Sequence, residues 1–217
     1  MRTSFTVAKS APANVAVTAI PVTSDGSLPK GLGYDRAQLK AMGFEGRCCT
    51  TLALPPAAGS KSARVLVGVG ELKDLDESVL RNIGAAAARA CSRHASMATS
   101  LAGLGKVNKK TGTRALVEGM ALALHRWTDL KKDKSSVAAL VKITLVSDSA
   151  DVKAGCAEGV ATAGAVTAAR DFANMPPSHL TATKFAKEAV AIARKSGLKV
   201  TVHDLKQLKQ MKCGGIV

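Results

Sequence analysis

Aromatic residues are scarce in this chain: four Phe, one Tyr and one Trp among 217 residues. A core therefore has to be built from Ala, Val and Leu, and no row of rings is available on which nucleic-acid bases could stack. Acidic residues are also few, 16 against 31 Lys and Arg, which leaves a formal net charge of +15. A site for hard divalent cations needs several converging carboxylates, and the acids here are scattered. The five cysteines (Cys48, Cys49, Cys91, Cys156 and Cys213) are odd in number and form no CxxC. That excludes a disulfide framework or a zinc knuckle and predicts buried free thiols, with Cys213 more exposed beside Gly214-Gly215. Apolar stretches break well short of the roughly 20 residues a bilayer requires. The opening MRTSFTVAKS has no signal-peptide core, so a cytoplasmic chain with no membrane partner is expected.

With 47% hydrophobic residues the chain has ample material for a core, and the pattern alternates strands with helices. Strands are predicted at Val15–Ile20 (closed by Pro21), 48–54, 65–70, 97–101, within 137–146, and at 198–202. Helices are predicted over 32–42, 78–93, 114–127 with Thr113 as cap, 151–173, 182–195 capped by Thr181 or Thr183, and 204–211. Leu80, Ile83, Ala87 and Cys91 fall on one helical face, and Leu116, Met120, Leu124 and Trp127 on or near another. Lys109-Lys110-Thr111-Gly112 and Lys131 to Ser136 read as loops, and Gly214 to Val217 as the opening of a further strand. Such alternation indicates an α/β sheet with helices on both faces.

The charge is distributed, +3 over residues 1–60, +7 over 61–150 and +5 over 151–217. It permits nonspecific attraction to DNA and other polyanions. It carries no recognition motif, since helix-turn-helix, zinc-finger and RRM signatures are absent.

Motifs that could carry chemistry are weak. Gly68-x-Gly70 after a strand resembles a phosphate cradle, yet Glu71, Asp74, Asp76 and Glu77 follow and would repel a phosphate. A tight turn explains these glycines better. His94, His125, His179 and His203 form no HxH or HExxH, and no serine stands in a GxSxG elbow. The residues alone yield no catalytic, metal-binding or substrate-binding site.

One stretch changes the functional reading. Residues 168–180, AARDFANMPPSHL, with the following helix and turn, resemble the start of the catalytic domain in the leucyl (cytosol) aminopeptidase family of dinuclear-metal peptidases. The resemblance rests on Arg170-Asp171, Asn174, Pro176-Pro177, Leu180 and Thr181, Phe185-Ala186, Gly197, Asp204, Leu208, Met211 and Gly214-Gly215. Upstream, Glu118-Gly119 before His125-Arg126-Trp127 and the VLVGVG strand are similar to the family's N-terminal domain.

The resemblance implies a macro-like N-terminal domain, a sheet flanked by helices, over 1–150. It implies a connecting helix over 151–175 and an incomplete start of a second α/β catalytic domain over 176–217. It also implies a hydrolase that removes N-terminal residues from peptides, working as a homohexamer with two divalent ions (manganese, zinc or magnesium) that activate a water. The family's ligands lie in a lysine, a Phe-Asp-Ser-Gly-Gly run and an Asn-Thr-Asp-Ala-Glu-Gly run. Neither run occurs here: Phe5, Phe44, Phe172 and Phe185 all precede residues other than Asp. No catalytic or metal residue carries over, and Asn174, Pro176 and Pro177 carry over only as domain-junction structure. The chain by itself is expected to bind no metal and to be inactive. Two readings stand beside this one: a macro-like polyanion- or DNA-binding or regulatory module, and a remnant without function.

Overall fold

The computed structural model describes residues 3–133 and 137–216. The chain forms two compact units, Met1–Ala169 and Arg170–Val217.

The first unit is built on a six-stranded sheet of order β1-β6-β5-β2-β4-β3. The strands are β1 Ser4–Ala8, β2 Val17–Thr23, β3 Thr51–Leu54, β4 Ala63–Gly70, β5 Ser96–Thr99 and β6 Lys142–Val146. All neighbours run parallel except β3, which pairs antiparallel with β4. The helices of this unit are α1 Arg36–Ala41, α2 Glu77–Ala90, α3 Lys109–Leu124 and α4 Ala150–Asn174, with a 3-10 turn at Leu72–Asp74. Strand β4 shows why its sequence is a nearly unbroken apolar run: both faces are covered. Val65, Val67 and Val69 join Ile83, Leu116, Met120 and Val152 in the larger core, which holds residues of α2, α3 and α4. Leu66 points the other way, into a smaller core with Val22, Leu39, Phe44 and Leu54 under α1. Burying each such aliphatic side chain contributes about 1.5–3 kcal/mol.

Several expectations change. Strand β1 has no signal in the sequence as read, because SFTVA is short and only its pairing with β6 makes it a strand. Pro21 does not close β2 but lies within it. The Ala19 carbonyl faces β5, where it accepts from the Thr99 hydroxyl (2.9 Å). Pro21, two residues on, faces the same side past the end of β5, so its missing N–H costs no ladder bond. Helix α3 begins at Lys109, so the stretch from Lys109 to Gly112 is its first turn and not a loop. Its cap is Asn108, whose side chain accepts from the N–H groups of Lys110 and Thr111 at 3.0 and 3.2 Å. Two lysines at a helix N-terminus oppose the macrodipole, which is why the sequence reads there as a loop. Thr113 is therefore inside the helix and fully buried, and Trp127 lies beyond its end. The loop read at Lys131 to Ser136 falls partly on Lys134, Ser135 and Ser136, outside the described residues.

Helices α2 and α3 pack backbone to backbone. A Cβ on Gly84 would lie 2.3 Å from the Leu116 carbonyl oxygen, and one on Gly119 would lie 1.9 Å from the Arg81 carbonyl oxygen. Gly155 and Gly159 of α4 approach α3 in the same manner, over the Lys110 and Arg114 carbonyls. The small residues of these helices thus serve helix–helix contact as well as contact with the sheet. Between α2 and α3 sits Glu118, nearly buried, bonded to Arg81 through Nε (3.1 Å) and Nη2 (2.9 Å), with Arg114 Nε at 3.7 Å. Removing one partner of a fully buried pair costs about 3–5 kcal/mol. Both arginines are more than a third exposed, so water screens what is left behind. Glu118→Gln is expected to cost about 1–2 kcal/mol, a fall in Tm of roughly 2–8 °C. Thermal unfolding followed by circular dichroism reads it, and an unchanged Tm would show the network to be idle.

The second unit carries the end of α4, then α5 Ala182–Lys195 and α6 Leu205–Gln210. Thr181 caps α5, the Asp204–Gln207 capping box starts α6, and Gly197 at φ +68° ends the α5 region. Phe172 meets Phe185 edge to face at 5.3 Å. Residues 198–202, expected as a strand, are irregular, and 214–216 form a turn where a strand opening was expected; Val217 lies outside the described residues. A parallel-type strand needs a neighbour to satisfy its backbone, and the described residues of this unit provide none.

Candidate functional site

The glycines of the candidate phosphate cradle are taken up by the chain's own backbone. The loop 46–50 crosses the end of β4: Gly70 N–H donates to the Gly46 carbonyl (2.9 Å), and Gly68 N–H to that of Thr50 (2.8 Å). A Cβ on Gly68 would lie 2.0 Å from the Arg47 carbonyl oxygen, and Gly70 has φ +71°. The acids that follow are equally occupied. Asp76 caps α2 by accepting from Val79 N–H at 2.7 Å, and Glu77 pairs with Arg114 at 3.2 Å. These are folding roles, as a tight strand-to-helix turn requires.

The histidines are dispersed. His94 lies in the turn after α2, its N–H donating to the Cys91 carbonyl, and His125 is the C-cap of α3. His179 is exposed with Nδ1 3.1 Å from Ser178 Oγ, and His203 precedes the cap of α6. Among the described residues no three His, Cys, Asp or Glu side chains gather as a metal site. The donor set of the described residues does not fit a pair of divalent ions. Asn174 closes α4 by donating from its side chain to the Arg170 carbonyl (2.8 Å), and the Pro176 carbonyl accepts from His179 and Leu180 N–H. Those contacts are local and structural.

All five cysteines are free. Cys91 and Cys156 are buried as expected, and burial raises both thiols, that of Cys91 to about 12. Cys213 is half-buried. Cys48 and Cys49 depart from expectation. They lie before β3, in a turn rather than in the strand expected over 48–54, and their sulfurs stand 3.4 Å apart. Cys48 is exposed and Cys49 half-buried, and burial together with the Cys48 hydrogen bond raises the Cys49 thiol to about 11. Nothing in the alternation of the sequence marks this turn, because its positive φ sits on a cysteine and not on glycine.

A surface groove of about 640 Å³ runs along α5 of the second unit, lined by Ala182, Ala186, Val190, Val202, His203 and Leu205 among others. Its walls are mainly apolar. Among the described residues of this unit, Ala193 alone is buried, while Leu198, Val202, Leu205 and Ile216 are each more than half exposed.

Sequence and fold comparisons agree on kinship. The profile of the cytosol aminopeptidase family, N-terminal domain, matches residues 22–134. A probable cytosol aminopeptidase of Rhodococcus opacus (strain B4) is 35% identical over 187 residues, which is 82% of this chain and 36% of that protein. The bottromycin maturation enzyme BotP, solved in complex with Mn, superposes with TM-score 0.75 at 25% identity over 90% of this chain and 40% of the other. A tomato leucine aminopeptidase mutant shares the fold, with TM-score 0.78 at 17% identity over 97% and 46% of the two chains. The chain spans about a third of the length of the curated relatives it matches. No helix among the described residues is long and apolar enough to cross a membrane. The profile match and the relatives settle the kinship: this chain belongs to the cytosol aminopeptidase family and corresponds to the N-terminal part of its larger members.

Proposed function

We propose that this chain is the N-terminal part of a cytoplasmic metal-dependent aminopeptidase that releases N-terminal amino acids from peptides, and that by itself it does not hydrolyse them. In this reading, 1–150 is a macro-like domain, 151–175 a connecting helix and 176–217 the first piece of the catalytic domain. The two ions (manganese, zinc or magnesium), the peptide site and the hexamer contacts then belong to the remaining two thirds of the family's length. The observation that carries the reading is the family match combined with a donor set, among the described residues, that gathers no metal site. The apolar side chains that the second unit leaves exposed support it, since a catalytic sheet built onto 198–202 would cover them. Purified chain supplied with Mn²⁺ or Zn²⁺ is expected to leave a leucyl amide uncleaved over hours. Turnover above the metal-only blank, lost on chelation, would overturn this.

The net charge of +15 favours a second reading, a polyanion-binding or regulatory module. Retention on DNA that shows sequence preference at fixed salt would support that reading, and retention that merely fades with salt would not.

A further inference from the structure

We infer that Cys48 and Cys49 form a preorganised vicinal dithiol that chelates a soft, thiophilic centre, specifically a singly substituted trivalent arsenical. The observation is a tight turn that holds two sulfurs together with one of them exposed. Arg47 to Thr50 form a type II turn, in which the Arg47 carbonyl accepts from Thr50 N–H (3.1 Å) and from Thr50 Oγ1 (2.6 Å). Cys49 occupies the third position with φ +63°, where glycine is the usual residue. A side chain kept in that region is strain that the surroundings must hold in place, and such strain concentrates where geometry is used.

The surroundings do hold it. Cys49 N–H donates to the Gly68 carbonyl (2.9 Å), and the turn is fixed to β4 by the Gly68–Thr50 and Gly70–Gly46 bonds. Cys48 packs over Gly70, its Cβ 3.5 Å from where a Cβ of that glycine would stand. The result is a Sγ–Sγ separation of 3.4 Å before any ligand arrives.

That separation selects the chemistry. A disulfide usually spans Cα atoms about 4.4–6.8 Å apart, whereas neighbours across a trans peptide are about 3.8 Å apart, so a disulfide here would be strained and easily reduced. A tetrahedral ion with bonds of about 2.3 Å would spread the sulfurs to about 3.8 Å and would need two further protein ligands. No third His, Cys, Asp or Glu is gathered with them among the described residues. A pyramidal trivalent centre, whose bond angles are tighter than tetrahedral, holds its two sulfurs closer together than a tetrahedral ion does and brings its own third substituent. Thiolates are the soft ligands such a centre takes. The step is a condensation without redox change. Two As–S bonds replace the arsenic–oxygen bonding of the arsenoxide, and both thiol protons leave with that oxygen as one water.

Phenylarsine oxide and intact-mass spectrometry of the native full chain test this. One adduct per chain is expected at equimolar reagent, removed by ethanedithiol and resistant to the same concentration of mercaptoethanol. Occupancy should fall at least tenfold in Cys48→Ser and in Cys49→Gly and be unchanged in Cys213→Ser. Cys49→Gly suits the positive φ, so loss of the adduct there cannot be ascribed to misfolding. No adduct on the native chain, an adduct stripped by mercaptoethanol, or one retained in either variant would each overturn the assignment.

Discussion

Gly119→Ala is expected to lower Tm by roughly 6–12 °C. The added Cβ would lie 1.9 Å from the Arg81 carbonyl oxygen, with the Arg81 carbonyl carbon at 2.8 Å. These are backbone atoms in the middle of α2, so no side-chain rotation relieves the overlap. The two helices must separate, and Leu116, Met120 and Ile83, all fully buried, lose contact with their neighbours. Overpacking of this kind costs about 3 kcal/mol, and in a chain of this size each kcal/mol moves Tm by about 2–4 °C. Alanine is otherwise the better helix former by about 1 kcal/mol, so the sign of the change is diagnostic. Thermal melts of Gly119→Ala beside Gly164→Ala make the comparison, because a Cβ on Gly164 meets nothing within 4 Å. A Tm for Gly119→Ala equal to that of Gly164→Ala would refute close helix contact at this point.

Limited proteolysis should cut the segment between α5 and α6 roughly 100-fold faster than any bond in 60–150. Cleavage under native conditions tracks local opening, which costs little where few apolar contacts are buried. The second unit has Ala193 as its one buried residue among those described, whereas β4 has Val65, Leu66, Val67 and Val69 almost completely covered. Leu198, Val200 and Val202 are exposed in irregular backbone between α5 and α6, suited to a protease that recognises aliphatic residues. Thermolysin digestion with mass mapping would show the first fragments ending within 196–204. First cuts inside 60–150 would mean that the sheet, and not the second unit, is the weaker part.

What the sequence revealed follows from how local each signal is. VLVGVG announced a buried strand because both of its faces are covered, and the faces of α2 and α3 were legible from Leu80, Ile83, Leu116 and Met120. The start of α3 was not, since Asn108 caps a turn that two lysines disguise. Strand β1 was invisible because a five-residue strand at a sheet edge is defined by its partner, 138 positions away. The candidate site was legible only through likeness. The Glu118-Gly119 pair was noticed as a family mark, and its physical meaning, a buried carboxylate beside a backbone contact, needed the two helices side by side. The meeting of Cys48 with Cys49 is not legible, because the pattern there reads as a strand and a positive φ at cysteine has no signature in the sequence.

The strand order also sets a schedule for synthesis. The hairpin of β3 and β4 can close early, and β2 can join it as soon as β4 exists, whereas β1 pairs only with β6. Strand β1 is therefore the last of the sheet's strands to find its place, after 138 further residues have been added. At translation rates of about 5–20 residues per second that is a wait of roughly 7–28 s. During it, Phe5 and Val7, which later pack against the larger core, stay uncovered on a strand with both edges open. A chaperone that holds nascent strands would meet its best opportunity on this chain in that interval, and the interval ends when β6 emerges.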